Sequence, residues 1–298
     1  MAVVYKAEAQ GAAGFSRPVV IKRIRDRHAR AARYEKMFVK EARTAATLDH
    51  PNIVRVYDLG QQQEDLFMVL EYVPGVTLSA MIRHHGRRGQ TVLPSLTAFI
   101  AVDVCKALEA AHGRRDEQGL PSPVIHRDVS PRNVLLARDG TAKLGDFGLA
   151  MLPDATGSTT PGVIKGTATY MSPEQARGER DLDGRSDLFS LGLVLYESLC
   201  GRRALFGKTL EEVVTRARGG GVVPLTEVAP GLPEPLTDLV GRLLALHPDD
   251  RPESAQAVRK ELSAFLRGFT PAVDPTSLAR AVALVEEWKG RPGQAPIT

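Results

Sequence analysis

The sequence has little of what marks several large protein classes. Its 298 residues include only two cysteines, Cys105 and Cys200, each inside an apolar, helix-like stretch. This argues against a disulfide framework and for free, buried thiols in a reducing compartment. Lys and Arg number 39 against 35 Asp and Glu, and the resulting net charge of +4 gives no reason to expect nucleic acid as a partner.

Long hydrophobic runs are also absent. The most apolar stretch, Asp187–Cys200, carries Asp, Ser and Glu and falls short of the ~20 residues that a membrane span needs. Met1–Ala9 has no apolar core of signal-peptide length. With 43% hydrophobic and 25% charged residues the composition is that of a globular protein. We therefore expect a cytoplasmic protein with no membrane span in this segment.

The hydrophobic pattern divides the chain into a strand-rich part and a helix-rich part. Two β-branched runs, VVYKAEA and PVVIKRI, are separated by the Gly-containing QGAAGFSR and predict an antiparallel hairpin. RYEKMFVKEARTAATL then repeats apolar residues at helical spacing, and two more strand-like runs follow it. From Leu78 onward helical patterns dominate. The prediction is an α+β fold with two lobes, a small antiparallel β lobe and a larger α-helical lobe.

Two motifs in the helix-rich part carry the chemistry. His126–Asn133 reads HRDVSPRN, and Asp146–Gly148 reads DFG. Together they resemble the signature set of protein kinases, H-R-D-L-x-x-x-N followed by D-F-G, with Val129 at the usual Leu. The alternative, that Asp128 and Asp146 are ordinary turn carboxylates, is disfavoured because both motifs occur in one chain. HRDVSP and the later GTATYMSPEQARG resemble bacterial, eukaryotic-like (Hanks-type) Ser/Thr kinases.

The resemblance implies a catalytic set that uses ATP and Mg²⁺, because phosphoryl transfer depends mainly on positioning and on neutralising phosphate charge. Asp128 would accept the proton of the acceptor hydroxyl, and Asn133 and Asp146 would bind Mg²⁺. Lys22, in the PVVIKRI strand, would hold the α- and β-phosphates, with Glu41 on the following helix as its partner. Taken alone, a strand Lys and a helix Glu are more often solvated surface groups.

The run MVLEYV resembles the hinge between the two kinase lobes, which implies the contacts to the adenine of ATP. Leu70 would be the gatekeeper, and Glu71 and Val73 would supply backbone hydrogen bonds. Three aliphatic side chains would enclose the base: Val4, Val20 and Leu135. The same residues also fit ordinary strand core, and the two interpretations are compatible.

The residues after the DFG motif resemble an activation segment and the helical core that supports it. Glu174, in SPE where the family often has A-P-E, would pair with Arg251. Asp187 would brace the loop that carries Asp128, and a buried carboxylate of this kind needs a partner. A generic surface ion pair is the alternative for these residues.

The resemblance also implies regulation by phosphorylation and the type of acceptor. Arg127 would belong to a basic pocket that receives a phosphate from the activation segment. Thr167 would lie against Asp128, as in Ser/Thr kinases, which implies Ser or Thr acceptors on proteins and autophosphorylation of the activation loop. The candidate phosphorylation sites lie in a Gly- and Pro-containing loop: Ser158, Thr159 and Thr160. The alternative is that these hydroxyl groups only keep the loop soluble.

The sequence departs from the family pattern at two places. The Lys that usually stands two residues after the catalytic Asp is Ser130 here, and Arg132 is the nearby basic residue that could substitute for it. The G-x-G-x-x-G run that covers the phosphates in the family would precede Met1. Three explanations stay open: a start codon assigned too late, a gene fragment, or a catalytically weak pseudokinase that serves as a signalling scaffold. A small-molecule kinase is disfavoured because GTATYMSPE resembles the platform for protein substrates.

The resemblance covers residues 1–268, with 1–73 as an N-lobe that lacks the first strand and the glycine-rich loop, and 74–268 as the C-lobe. Residues 269–298 are expected to form a tail in which Asp274 and Pro275 cap a short helix. The mixed-charge insertion at 113–123 indicates only a loop. The implied partners are protein substrates, ATP and a second copy of the chain for autophosphorylation.

Overall fold

A computed structural model describes residues 2–24, 31–62, 65–147, 168–219, 221–270 and 272–289. The first part of the chain forms a four-stranded antiparallel sheet in the order β1-β2-β4-β3. Its strands are β1 (Ala2–Gln10), β2 (Ser16–Ile24), β3 (Val56–Gln62) and β4 (Asp65–Glu71). The predicted hairpin is β1 and β2, which pair from Ala2 with Ile24 to Gln10 with Ser16.

Helix α1 (Ala31–Ala46) covers one face of this sheet. Phe38 and Ala42, four residues apart on one side of the helix, pack against Met68 of β4 in a small hydrophobic cluster. Leu59, Leu66 and Leu70 surround that cluster. The small lobe therefore has its own core, and the face of the sheet opposite Phe38 is left for other contacts.

The second part of the chain is mainly helical. Its helices are α2 (Leu78–Gly86), α3 (Pro94–His112), α4 (Pro173–Arg177), α5 (Gly184–Cys200), α6 (Leu210–Gly219), α7 (Leu225–Val228), α8 (Glu234–Leu243), α9 (Ala255–Leu266) and α10 (Pro275–Lys289). Single 3-10 turns lie at Ala12–Gly14, Ala168–Tyr170 and Pro248–Asp250. Within the described ranges, every helix is too short or too polar to cross a lipid bilayer.

Helix α5 is the centre of the large lobe. It is buried almost all round, which explains why DLFSLGLVLYESLC is apolar without a one-sided stripe. Asp183 caps its N-terminus by accepting a hydrogen bond from the backbone N–H of Arg185, and Gly201 ends it with φ +71°. Because both ends are capped and the sides are packed, α5 is a rigid base for the loops above it.

A short second sheet connects the two lobes. Its strands are β5 (Gly75–Thr77), β6 (Val134–Ala137) and β7 (Ala142–Leu144), paired in that order. The N–H of Leu144 donates to the carbonyl of Asn52 at 2.7 Å, and the N–H of Val54 donates to the carbonyl of Leu144 at 3.0 Å. The segment before β3 thus lies against β7, and β7 leads directly to Asp146.

The tail expected to hold a short helix contains α10, whose 15 residues pack against β5, β6 and α2. Leu278, Val282, Val285 and Trp288 are buried in that contact. Their spacing of four, three and three residues is that of one helix face, and this signal was available in the sequence.

We expect Gly140→Ala to lower the free energy of unfolding by about 3 kcal/mol or more. Gly140 has φ +84°, and a Cβ there would lie 1.9 Å from the carbonyl oxygen of Pro275, which begins α10. Gly119→Ala is the matched control, since Gly119 has φ +78° but open space around it, and it should lose only the about 1 to 2 kcal/mol of backbone strain. Urea denaturation measures both, and equal losses would show that α10 does not pack on this turn.

Candidate active site

A cleft with a volume of about 250 Å³ lies between the lobes, under the sheet and above β6 and β7. All six residues predicted to contact adenine line it: Val4, Val20, Leu70, Glu71, Val73 and Leu135. The predicted polar groups Lys22, Asn133 and Asp146 line it as well. The sequence prediction thus placed in one cavity residues that are up to 142 positions apart along the chain.

The hinge is held by the side chain of Glu71 at the end of β4. Its carboxylate accepts a hydrogen bond from the backbone N–H of Arg55 at 3.1 Å and lies 2.8 Å from the ammonium of Lys143 on β7. Its backbone N–H donates to the carbonyl of Arg55 at 2.9 Å. Glu71 therefore ties the hinge to both lobes, a role that the sequence prediction, which considered only its backbone, did not include.

Lys22 and Asp146 meet across the cleft. The ammonium of Lys22 on β2 lies 3.1 Å from Oδ1 of Asp146, and the Lys22 side chain is largely shielded while Asp146 is half exposed. Asp146 has φ +56°, an uncommon backbone angle that turns its carboxylate into the cleft. A positive and a negative group thus lie side by side at the polar end of an otherwise apolar cavity.

Asn133 lines the polar end of the cleft, and Asp128, which is not one of the lining residues, lies beside it. The amide nitrogen of Asn133 donates to the backbone carbonyl of Asp128 at 2.8 Å and to its Oδ2 at 3.0 Å, so the amide oxygen of Asn133 stays available as an acceptor. Burial raises the pKa of Asp128 to about 7, and the nearby carboxylate of Asp146 acts in the same direction. The Asn133 hydrogen bond, Lys22 and Arg132 oppose that rise. A carboxylate with this pKa is suited to exchange a proton near neutral pH.

The loop that carries Asp128 is held from below by Asp187 of α5. Asp187 is fully buried and accepts hydrogen bonds from the backbone N–H groups of His126 and Arg127, each at 2.8 Å. Arg127 has φ +67°, a strained angle for a residue with a side chain, and these bonds offset its cost. The predicted brace of the loop by Asp187 corresponds to this geometry.

His126 links the loop to the DFG motif. Its Nε2 donates to the carbonyl of Gly145 at 3.0 Å, its Nδ1 accepts from the N–H of Asp128 at 3.2 Å, and its ring lies 4.5 Å from that of Phe147. Full burial lowers the pKa of His126, although Asp187 and Gly145 act against that shift, so the ring stays neutral and holds this donor and acceptor pattern.

Glu174 and Arg251 form the predicted ion pair. Two nitrogens of Arg251 donate to the two carboxylate oxygens of Glu174 at 2.7 and 2.9 Å, and the side chains are 0% and 4% exposed, respectively. Ser186 adds a third bond to Glu174 at 2.6 Å. Arg251 also donates to the carbonyls of Ala245, Arg185 and Leu246. A buried pair with this many partners is structural rather than a surface contact.

Some predicted residues lie outside the described part of the structure. They are Gly148, the candidate phosphorylation sites Ser158, Thr159 and Thr160, and Thr167. Glu41 lies in α1, but its side chain is not among those described. The roles assigned to these residues remain predictions.

The structure also brings in residues that the sequence prediction missed. His112, at the end of α3, donates from Nε2 to Asp187 at 2.8 Å, and Gln175 donates from its amide to the carbonyl of Arg127 at 2.8 Å. Gln175 is also the third residue of a capping box with Ser172, and the pattern S-P-E-Q is a sequence signal for that box. His112 had no comparable signal, because its partner is 75 positions away.

The described residues fit a magnesium ion held together with phosphates. Asp146 supplies a carboxylate that is half exposed in the cleft, and Asn133 supplies an amide oxygen. No group of three or more His, Cys, Asp or Glu able to hold a metal occurs among the residues that the structure describes. Mg²⁺ is typically bound through one or two protein oxygens together with substrate phosphates and waters, which is what Asn133 and Asp146 can supply.

The protein kinase domain profile matches residues 1–263, nearly the whole chain. The chain belongs to the protein kinase family. The predicted resemblance and the two-lobed α+β fold are both confirmed. The cleft of this kinase is therefore its candidate active site, and the roles of Lys22, Asp128, Asn133 and Asp146 stay predictions.

Several bacterial proteins that this kinase resembles are longer than this chain. It is 37% identical over 266 residues to a protein named tyrosine-protein kinase MasK from Myxococcus xanthus. The alignment covers 89% of this chain and 41% of that protein. It is 37% identical to serine/threonine-protein kinase PknB of Mycolicibacterium smegmatis over 86% of this chain and 40% of the relative. The Mycobacterium tuberculosis PknB is 34% identical, with the same coverage. The chain thus spans about two fifths of the length of these relatives.

Proposed function

We propose that this kinase transfers the γ-phosphoryl group of ATP to Ser or Thr hydroxyls of proteins, including hydroxyls of its own activation segment. One observation carries the proposal. Asp128, with a pKa raised to about 7, lies beside Asn133 at the polar end of the cleft, where Lys22 and Asp146 also meet. An apolar cavity with a polar end of this composition fits a nucleotide whose base is enclosed and whose phosphates face the acceptor.

In the proposed mechanism each residue has a limited task. Asp128 orients the acceptor hydroxyl and takes its proton as the hydroxyl oxygen bonds to phosphorus and the bond from phosphorus to the bridging oxygen of ADP breaks. Lys22 holds the phosphates in place through its charge, and Glu41 is its proposed partner. Asn133 and Asp146 would hold Mg²⁺, which would neutralise charge on the phosphates. Asn133 additionally fixes the Asp128 carboxylate through its amide N–H.

The acceptor class is supported by the PknB relatives, which are named serine/threonine-protein kinases. A tyrosine acceptor is the second candidate, because the Myxococcus relative, with 37% identity, is named a tyrosine-protein kinase. Transfer of ³²P from Mg-ATP to the protein and to a mixed peptide library, followed by phosphoamino-acid analysis, tests the proposal. Phosphoserine and phosphothreonine are expected. Phosphotyrosine alone would assign the kinase to the second class, and no label despite nucleotide binding would indicate a scaffold.

We expect the value of kcat/KM for a Ser peptide to rise about tenfold per pH unit below pH 7 and to level off above it. The reason is that burial raises the pKa of Asp128 to about 7, and only its deprotonated form accepts the hydroxyl proton. Initial rates between pH 5.5 and 9 measure the profile. The phosphates of ATP also titrate in this range, so a second variant must show which group gives the profile. Arg132→Gln is that control.

The charge of Arg132 lowers the Asp128 pKa, so its removal should move the midpoint of the profile to higher pH, whereas a midpoint due to ATP alone would stay in place. An unchanged midpoint would therefore show that Asp128 is not the group that titrates.

We further propose that the kinase acts in the cytoplasm and phosphorylates its own activation segment within a transient homodimer. Both cysteines are free thiols, and burial raises the pKa of Cys105, which makes it unreactive and is compatible with a reducing compartment. The candidate sites for self-phosphorylation remain Ser158, Thr159 and Thr160. Residues 1–73 and 74–268 are the proposed N- and C-lobes, followed by the tail at 269–298.

A further inference from the structure

Arg83 of α2 lies beside the loop that carries Asp128. The backbone N–H of Ser79, at the start of α2, donates to the carbonyl of Pro131 at 2.8 Å, which fixes α2 against that loop. Arg83 follows one helical turn later, on the same face as Ser79, and donates from Nη1 to its hydroxyl at 2.7 Å. The guanidinium is therefore held in a defined position next to the loop.

Arg132 is the neighbour of Pro131 in this loop and faces the same region. It lines the cleft together with Asn133 and Asp146 and is close enough to Asp128 and to Arg83 for their charges to interact. Burial lowers the pKa of Arg83, and the adjacent positive charge of Arg132 lowers it further. Two like charges within interaction range at the edge of the cleft repel, so their placement has a cost in stability.

The two arginines lack an acidic partner within the described ranges. Neither makes a salt bridge there, and Nε of Arg83 is buried without a hydrogen-bond acceptor. Glu197 is the carboxylate whose negative charge acts on Arg83. It already accepts a hydrogen bond from the hydroxyl of Tyr170 and lies 3.7 Å from Arg203. A buried donor without an acceptor is uncommon, so the Arg83 guanidinium is held in this position at a cost in hydrogen bonding.

We propose that Arg83 and Arg132 bind an anionic side chain of the protein substrate, a carboxylate or a phosphate, within a few residues of the acceptor hydroxyl. This proposal rests on the proposed kinase function and adds a preference to it. An oxygen anion beside the two guanidinium groups would relieve the repulsion between them. This place is close to the proposed site of phosphate transfer, because Asp128 lies four residues before Arg132 in the same loop and their charges interact.

The binding experiment does not require phosphate transfer. Fluorescently labelled peptides with Ala in place of the acceptor carry Glu, phosphoserine, Ala or Arg at each position from −4 to +4, and anisotropy gives their Kd for the full chain. At one or two positions Glu or phosphoserine is expected to bind at least about tenfold more tightly than Ala, with Arg weakest. The ratio of Glu to phosphoserine affinity distinguishes acidic from already phosphorylated substrates. Equal affinities for Glu, phosphoserine and Ala would overturn the proposal.

Variants locate the effect. Arg83→Gln should bring the Kd of the Ala peptide divided by the Kd of the Glu peptide close to one. Arg83→Glu should make the Arg peptide bind most tightly, and Arg83→Lys should retain part of the preference for Glu. Arg88→Gln is the matched control, because it removes one charge directly after the same helix, where Arg88 contacts His84 instead of the cleft. The control should keep the wild-type ratio. Loss of the ratio in both variants would mean that only overall charge matters.

The kinetic experiment separates this site from the nucleotide site. With Ser-containing versions of the peptides, Arg83→Gln should raise the KM for the acidic peptide about tenfold and leave the KM for ATP unchanged. A rise in the KM for ATP with every peptide would assign the arginines to the phosphates of ATP and overturn the proposal. Absence of transfer with all peptides would contradict the proposed function alone, since the anisotropy result decides the anion site independently.

Discussion

Asp128→Asn is expected to lower the rate of phosphate transfer about 10²- to 10⁴-fold, the range in which a positioned general base contributes. Asparagine has nearly the same shape but cannot accept the hydroxyl proton. It still offers an oxygen to the amide of Asn133, which bonds to Asp128 at 2.8 and 3.0 Å in the wild type, so the loop should keep its conformation. Incorporation of ³²P from Mg-ATP into a Ser peptide and into the protein measures the loss.

Two measurements show whether the loss is chemical. The Kd for ATP, by calorimetry, should change less than about threefold, because the apolar walls of the cleft and the contact of Lys22 with Asp146 are untouched. Asp139→Asn is the matched control, since Asp139 is an exposed acid in the turn between β6 and β7 of the same lobe. Transfer by Asp128→Asn at the wild-type rate would show that Asp128 is not the base.

Glu174→Ala is expected to lower the free energy of unfolding by about 3 to 5 kcal/mol. The substitution leaves the buried guanidinium of Arg251 without its two carboxylate bonds, and the carbonyls that it also contacts carry no compensating charge. The hydroxyl of Ser186 loses its acceptor as well. Urea denaturation followed by circular dichroism measures the loss, and a catalytic assay at low temperature shows whether the residual folded protein is active.

Asp249→Ala is the control for that prediction. Asp249 also pairs with an arginine, Arg185, at 2.7 Å, but its side chain is 90% exposed, and such pairs contribute only about 0 to 1 kcal/mol. Equal losses in the two variants would show that the Glu174 pair behaves as a surface contact.

The stability that Glu174 provides depends on pH. Burial alone would raise the pKa of Glu174, but the hydrogen bonds from Arg251 and Ser186 outweigh burial, so the pKa is lowered overall. The stabilisation is therefore present above the unfolded-state pKa and is lost as the pH falls through the lower folded-state value.

The sequence analysis was most accurate where a motif is short and continuous. HRDVSPRN and DFG identify Asp128, Asn133 and Asp146 because family motifs have fixed spacing, and the structure places these side chains together. The hairpin of β1 and β2 followed from β-branched runs around a Gly-containing loop. The length of α10 was underestimated, because Asp274 and Pro275 mark only its beginning and the helical spacing of Leu278, Val282, Val285 and Trp288 was not used.

Contacts between distant residues could not be predicted from local patterns. Asp187 was expected to brace the loop, but the role of His112 as its third donor depends on how α3 packs against α5. The hinge residue Glu71 was assigned backbone contacts, and its side chain bonds to Lys143 appear only when β7 is folded against the small lobe. Arg83 has no motif at all, and only the packing of α2 against Pro131 brings it to Arg132.

The sequence by itself determined the family, the two-lobed arrangement and the identity of the polar groups in the cleft. These depend on local spacing and on periodicity, which the order of residues encodes directly. The tertiary structure alone decided the pKa of Asp128, the neutral state of His126 and the approach of Arg83 to Arg132 without an acidic partner in the described part of the chain. Each of these depends on burial and on charges that lie far apart in the chain, and electrostatic free energy depends on distance in space rather than on position in the sequence.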